Sequence, residues 1–120
     1  MARAILLSPP ERFLLDQWAR TLRETFGQPY LVGSVVRTQT ERRYRDVDVR
    51  ILLEREAWLS LVWCVDTLNA AISIWGQKAT GLPIDFQFQR AIRAPNGIRI
   101  PIGIIPDRRE ERESDAELQE

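Results

Sequence analysis

From Glu54 to about Gln77 the chain reads "EREAWLSLVWCVDTLNAAISIWGQ", too long for a strand, and it separates two stretches, "DVDVRILL" and "LPIDFQFQ", that follow a period of two. Inside it Trp58, Leu61/Val62, Val65, Leu68, Ile72 and Trp75 recur at intervals of three and four. That spacing predicts a well-buried helix, with Trp58, Trp63 and Trp75 in the core. "DVDVRILL" alternates before becoming wholly apolar, as a strand does when its tip reaches solvent. "LPIDFQFQ" sets Ile84, Phe86 and Phe88 on one face and Asp85, Gln87 and Gln89 on the other. Two periods in this order confine the chain to a sheet with helices packed on it.

The N-terminal part adds a helix and a strand. "SPPERFLLDQWARTLRETFG" offers Ser8 as N-cap, prolines in the first turn and Glu11 three residues on, then Phe13/Leu14, Trp18, Leu22 and Phe26 along one face, closing at Gly27. "PYLVG" reads as a short strand ending at Gly33, and a polar, Arg-rich connection leads from it to Asp46. The order is helix, strand, connection, strand, helix, strand. It implies an α/β (α+β) fold, a small mixed β-sheet packed by helices. "AIRAPNGIRIPIGIIP" carries a Pro-Asn-Gly turn signal and alternating Ile, so a further strand, a hairpin or an ordered flap is expected there. The expected organisation is one domain over 1–106 and a charged tail over 107–120, disordered or a frayed helix.

Composition narrows the chemistry. A chain of 120 residues, 44% hydrophobic and 28% charged, can bury a core without a disulfide or structural metal. Cys64 is alone and there is no histidine, so a Cys/His zinc site is excluded and the chemistry must come from carboxylates, hydroxyls and Arg. A reducing, cytoplasmic setting fits. The opening "MARAILLSPPERF" is too weakly apolar for a secretory signal or a membrane span and is expected to belong to the fold, with no membrane partner. Net charge is zero, but the last segment holds seven acids and three Arg, leaving 14 basic and 10 acidic residues before it, about +4. That excess, with Lys78 the only lysine, suits phosphate-bearing partners.

Asp46 and Asp48 stand one residue apart on a strand, so both project to one face with Cα atoms roughly 6.5 Å apart. Such carboxylates repel, raise each other's pKa and destabilise the fold unless a cation joins them. With Asp85 on the polar side of the next strand as third member, the pattern reads as a divalent-metal site. Hard oxygen ligands select Mg²⁺, or Mn²⁺, over zinc. Gly33-Ser34 supplies the other half. The glycine allows a turn to bring backbone amides to a phosphate, Ser34 adds a hydroxyl, and a short helix starting there would aim its positive end at the same anion. Arg37, one turn on, would clamp phosphate oxygens. Metal beside a phosphate cradle makes a nucleoside triphosphate the expected ligand.

"VGSVVR", then "DVDVRIL" and "PIDFQF", resembles the nucleotidyltransferase superfamily with the DNA polymerase β type of fold, especially its minimal members, over about Tyr30 to Phe88. The resemblance implies that Asp46 and Asp48 hold two Mg²⁺ ions bearing the triphosphate, that Asp85 holds one metal and helps activate the acceptor hydroxyl, and that Gly33 and Ser34 lie at the phosphates. It implies transfer of a nucleoside monophosphate to a partner protein, an RNA end or a small molecule, with toxin and antitoxin pairs among the settings. The chain departs from the pattern in a longer spacer after Ser34 and in Arg45, where a small polar residue commonly stands.

Other readings stand beside this one. The same fold could bind nucleotide or RNA without catalysis, or the aspartates could be surface charge on an interaction module. Arg42, Arg43, Arg45 and Arg50 with Tyr44 form either a nucleic-acid patch or a solvated loop. Cys64, among apolar neighbours, reads as a buried inert thiol.

Overall fold

The computed structural model describes residues 4–37, 46–91 and 99–102. The expected Pro-Asn-Gly turn, the cluster Arg42, Arg43, Tyr44 and Arg45, and the charged tail lie outside these residues. The described elements run β1 (Ala4–Ile5), α1 (Pro9–Thr25), β2 (Pro29–Val32), a 3₁₀ turn (Gly33–Val35), β3 (Val36–Arg37) and β4 (Val47–Leu53). They continue with α2 (Arg55–Leu61), a 3₁₀ turn (Val62–Cys64), α3 (Val65–Thr80), β5 (Ile84–Arg90) and β6 (Ile100–Pro101). The fold is α+β, as expected: a four-stranded mixed sheet in the order β5-β4-β2-β6 carries the helices, and β1 pairs with β3 in a separate antiparallel ribbon. β4 and β5 run parallel, joined by the helical crossover such a pair requires. β2 lies antiparallel to both β4 and β6.

Alternation along the strands builds the core. Val47, Val49, Ile51 and Leu53 of β4, Ile84, Phe86 and Phe88 of β5, and Leu31 of β2 are buried against Leu15, Trp18, Ala19 and Leu22 of α1. The Ser8–Glu11 capping box starts α1: the Ser8 hydroxyl accepts from the Glu11 N–H and the Glu11 carboxylate from the Ser8 N–H. The buried stripe of α1 differs from the expected one in its first turns. Leu15, Trp18, Ala19 and Leu22 form an i, i+3, i+4, i+7 set, which turns Phe13 and Leu14 outward, to 61% and 42% exposure.

The helical segment after β4 departs further from expectation. It is interrupted at Val62–Cys64. There the Ser60 hydroxyl, the Trp63 indole N–H and the Cys64 thiol all donate to backbone carbonyls three residues back, on Ala57, Ser60 and Leu61. Short back-bonds of this kind compete with the α-helical ladder and accompany the local 3₁₀ turn. The segment is also far less buried than its hydropathy suggests: in α3 only Ile72, Gly76 and Thr80 are buried, and Trp63 is 83% exposed. Trp58 is half-buried against the core, and Trp75 stacks edge-on against Trp18 at 5.9 Å with one side open. By length and composition the run 55–80 would suffice to cross a membrane.

A polar stripe explains this placement. β5 is the terminal strand of the sheet, and its outer edge would otherwise leave backbone groups unpaired. Asn69 Oδ1 accepts from the Phe88 N–H at 3.0 Å, Ser73 Oγ accepts from the Phe86 N–H at 2.9 Å, and Gln77 Nε2 donates to the Ile84 carbonyl at 3.0 Å. These three residues, spaced i, i+4, i+8, lay α3 along the edge of β5 instead of squarely over the core.

The crossing of α1, α3 and β5 is tight at Gly76. A Cβ there would come within 2.7 Å of Trp18 Cζ2 and 3.0 Å of Ile84 Cγ2, both in the core. Gly76→Ala is therefore expected to destabilise by about 1–3 kcal/mol through overpacking, although mid-helix Gly→Ala alone would favour the helix by about 1 kcal/mol. Urea unfolding decides it. Equal or greater stability in the alanine variant would contradict the packing at this crossing.

Candidate functional site

The face of the sheet opposite the core carries the charged residues. Asp48 and Arg50 follow one another at i, i+2 on β4, and Asp85 faces the same way on β5. In the parallel register Asp48 lies directly beside Asp85, Val47 beside Ile84 and Val49 beside Phe86. The register that completes the core thus also brings the two carboxylates together, within hydrogen-bonding reach of each other. Asp48 is the deeper, with a side chain 21% exposed against 43% for Asp85.

Gly33 closes the site from β2. Its φ of 71° is a left-handed conformation that glycine adopts without strain, and a Cβ at this position would overlap the Asp48 Oδ2 atom. A side chain here would thus strain the backbone and force the Asp48 carboxylate to move. The residues after Gly33 do not start the expected short helix. They make one 3₁₀ turn and then enter β3, where the β-branched Val36 pairs with Ile5. Ser34 follows Gly33 in that turn and Arg37 pairs with Ala4 through the backbone; both side chains lie outside the described residues.

Asp46 sits one residue before β4, exposed, at the rim of an open depression of about 500 Å³ lined also by Gln77, Gly81, Leu82, Pro83 and Ile84. It is near enough to act on Asp48 by charge. Among the described residues no three carboxylate, thiol or imidazole groups form a ready-made metal shell. The structure thus brings Asp48, Asp85 and Gly33 into one site and leaves Asp46 at its margin.

Arg50 is the member whose part in the site the sequence did not announce. It stands on the expected strand, but between the aspartates instead of with the basic cluster that makes either a nucleic-acid patch or a solvated loop. Its Nη1 donates to the Asp85 carbonyl at 2.7 Å and the Val49 carbonyl at 3.0 Å, while Nη2 lies 3.6 Å from Asp85 Oδ2 and 3.9 Å from Asp48 Oδ1. The signal was the same alternation that joined Asp46 to Asp48: in "DVDVR" the arginine falls on their side of the strand.

Burial holds the Asp48 carboxyl above the ordinary carboxylate pKa; the Arg50 guanidinium pulls it down, and Asp85 and Asp46 push it up. A raised folded-state pKa means that the native state binds the proton more tightly than the unfolded chain. The stability it contributes is fully present below the unfolded value, about 3.9, and is lost as pH rises through the raised folded value. In metal-free buffer wild type should therefore lose stability relative to Asp48→Asn as pH rises through that window. A stability difference that does not change with pH, or that moves the other way, would contradict the desolvated carboxyl pair.

Comparison with protein-family models, with curated proteins and with solved structures finds no match to this chain.

Proposed function

We propose that the chain is a metal-dependent nucleotidyltransferase that transfers a nucleoside monophosphate from an NTP to a hydroxyl on a partner protein, an RNA or a small molecule. The observation that carries this reading is the side-by-side pairing of Asp48 and Asp85 on parallel strands, with Gly33 of the neighbouring strand held open against Asp48. Such an arrangement costs stability unless a ligand uses it: two carboxylates are crowded together, and a glycine is held in a left-handed conformation beside them.

The donor set suits a hard divalent cation. The site has paired carboxylates and no sulfur or imidazole, and the space against Asp48 Oδ2 is what a side chain at position 33 would fill. Asp46, Asp48 and Asp85 would hold Mg²⁺, two ions in the full complex, with Mn²⁺ a suitable substitute. Bound there, Mg²⁺ would supply the positive charge that a triphosphate needs at its reacting and leaving oxygens.

The chain's own groups account for the remaining steps. The backbone amides at Gly33 and the Ser34 hydroxyl would receive β- and γ-phosphate oxygens, with Arg37 as a further clamp, where negative charge builds as pyrophosphate leaves. Asp85, the more exposed carboxylate, is the one an acceptor hydroxyl can approach, and its Oδ atoms would take the hydroxyl proton. The acceptor oxygen then bonds to the α-phosphorus as the bond from that phosphorus to pyrophosphate breaks.

One observation favours a second reading. Arg50 already sets a positive charge beside both carboxylates, as a fold that binds nucleotide or RNA without turnover would allow. The test is transfer of label from α-labelled NTPs, each in turn, into macromolecules of a cell extract, with pyrophosphate release read in parallel. Wild type should transfer from one or more nucleotides, and Asp48→Asn should lose transfer at least a hundredfold while keeping its circular dichroism. Transfer undiminished in Asp48→Asn would refute the enzyme reading; salt-sensitive nucleotide or RNA binding without label transfer would establish the second.

A further inference from the structure

Arg50 is held by both strands that bear the carboxylates. Its Nη1 bonds go to main-chain carbonyls, of Asp85 on β5 and Val49 on β4, and its side chain is only 12% exposed. The guanidinium is thus fixed by the sheet and not by the aspartates. Its distances to their oxygens, 3.6 and 3.9 Å, exceed hydrogen-bonding length. Arg50 thus places a full positive charge beside the carboxylates without taking up their lone pairs in hydrogen bonds of its own. Swinging the side chain away would forfeit both carbonyl bonds, so the charge stays when a ligand arrives.

We propose that Arg50 is a built-in counter-cation that lowers the affinity of the Asp48/Asp85 site for bare divalent metal, so that metal enters together with a triphosphate. This rests on the nucleotidyltransferase reading of the site. Asp46, Asp48 and Asp85 against Arg50 leave a formal charge of −2 around the site, half of what two divalent ions need. The missing negative charge is what the triphosphate brings. Arg50 thereby ties loading of the site to its substrate: free Mg²⁺ alone gains little, and the metal–triphosphate complex gains the full set of contacts. It is a positioning residue, acting on the ligand through charge, and it also keeps the two acids together while no ligand is present.

A purely structural tie between β4 and β5 would predict no gain in metal affinity when the charge is removed, and this separates the two roles. Mn²⁺ retained by the full chain is measured by equilibrium dialysis, with and without inorganic tripolyphosphate on both sides of the membrane, for wild type, Arg50→Gln, Arg50→Met and Arg50→Lys. Gln keeps a donor for the Asp85 carbonyl without the charge, so it serves if the Met variant does not fold. Without tripolyphosphate, Arg50→Gln and Arg50→Met should bind Mn²⁺ about tenfold tighter or more, and Arg50→Lys should stay near wild type. Folded Gln and Met variants whose Mn²⁺ affinity equals or falls below wild type would overturn the proposal. If the charge-free variants gain affinity but tripolyphosphate does not tighten Mn²⁺ binding by wild type, Arg50 is a counter-cation in a site that is not built for triphosphate. The reading of the site then fails apart from the role of the arginine.

Discussion

The parallel register of β4 and β5 is the constraint on which the rest of the molecule depends. From Val47 beside Ile84 to Ile51 beside Phe88, apolar pairs turned toward the helices alternate with polar pairs, Asp48 with Asp85 and Arg50 with Gln87, turned toward the open face. A slip of one residue would turn Val49 or Phe86 to solvent and push Asp48 or Asp85 into the core. Core and site are therefore specified by one alignment. The hydrophobic burial on one face stabilises the fold and holds together the carboxylate pair on the other.

Edge protection and site construction are linked through the same strand. β5 is terminal in the sheet, and α3 secures it with Asn69, Ser73 and Gln77 instead of a neighbouring strand. With its polar stripe turned to the strand edge, the helix leaves Ile74 and one side of Trp75 exposed, as the preceding 3₁₀ turn leaves Trp63. Gly76 lets the same helix approach Trp18 and Ile84. Asp85 sits one residue along from Ile84, so the anchoring of β5 by α3 also fixes where the more exposed carboxylate stands.

Much of this was legible in the sequence because it follows from period. The capping box at Ser8 and Glu11, the strands around 30, 50 and 86, and the shared face of Asp48 and Asp85 all come from spacing that a single chain displays. The face of the second helix was read correctly, since Trp58, Leu61, Val65, Leu68 and Ile72 all pack against the core, but its burial was overestimated: all except Ile72 are covered only in part, because Asn69, Ser73 and Gln77 hold the helix to the edge of β5. Arg50 was misplaced for a different reason. Read with its basic neighbours it looked like part of a nucleic-acid patch or a solvated loop, whereas its parity on the strand put it with the aspartates. The turn after Gly33 depended on the pairing of β3 with β1, a contact between distant short segments that no local signal announces.

Metal and triphosphate are proposed to meet at the Asp48/Asp85 pair, Gly33 and the turn after it. Thermal melting of the full chain in EDTA, in Mg²⁺, and in Mg²⁺ with each of the four NTPs in turn tests it most directly, because any ligand that binds the folded chain alone raises its melting temperature. Little change is expected with Mg²⁺ alone, and a rise of several degrees that needs both Mg²⁺ and a particular nucleotide. An unchanged melting temperature under every condition, or an equal rise with nucleotide in EDTA, would contradict it.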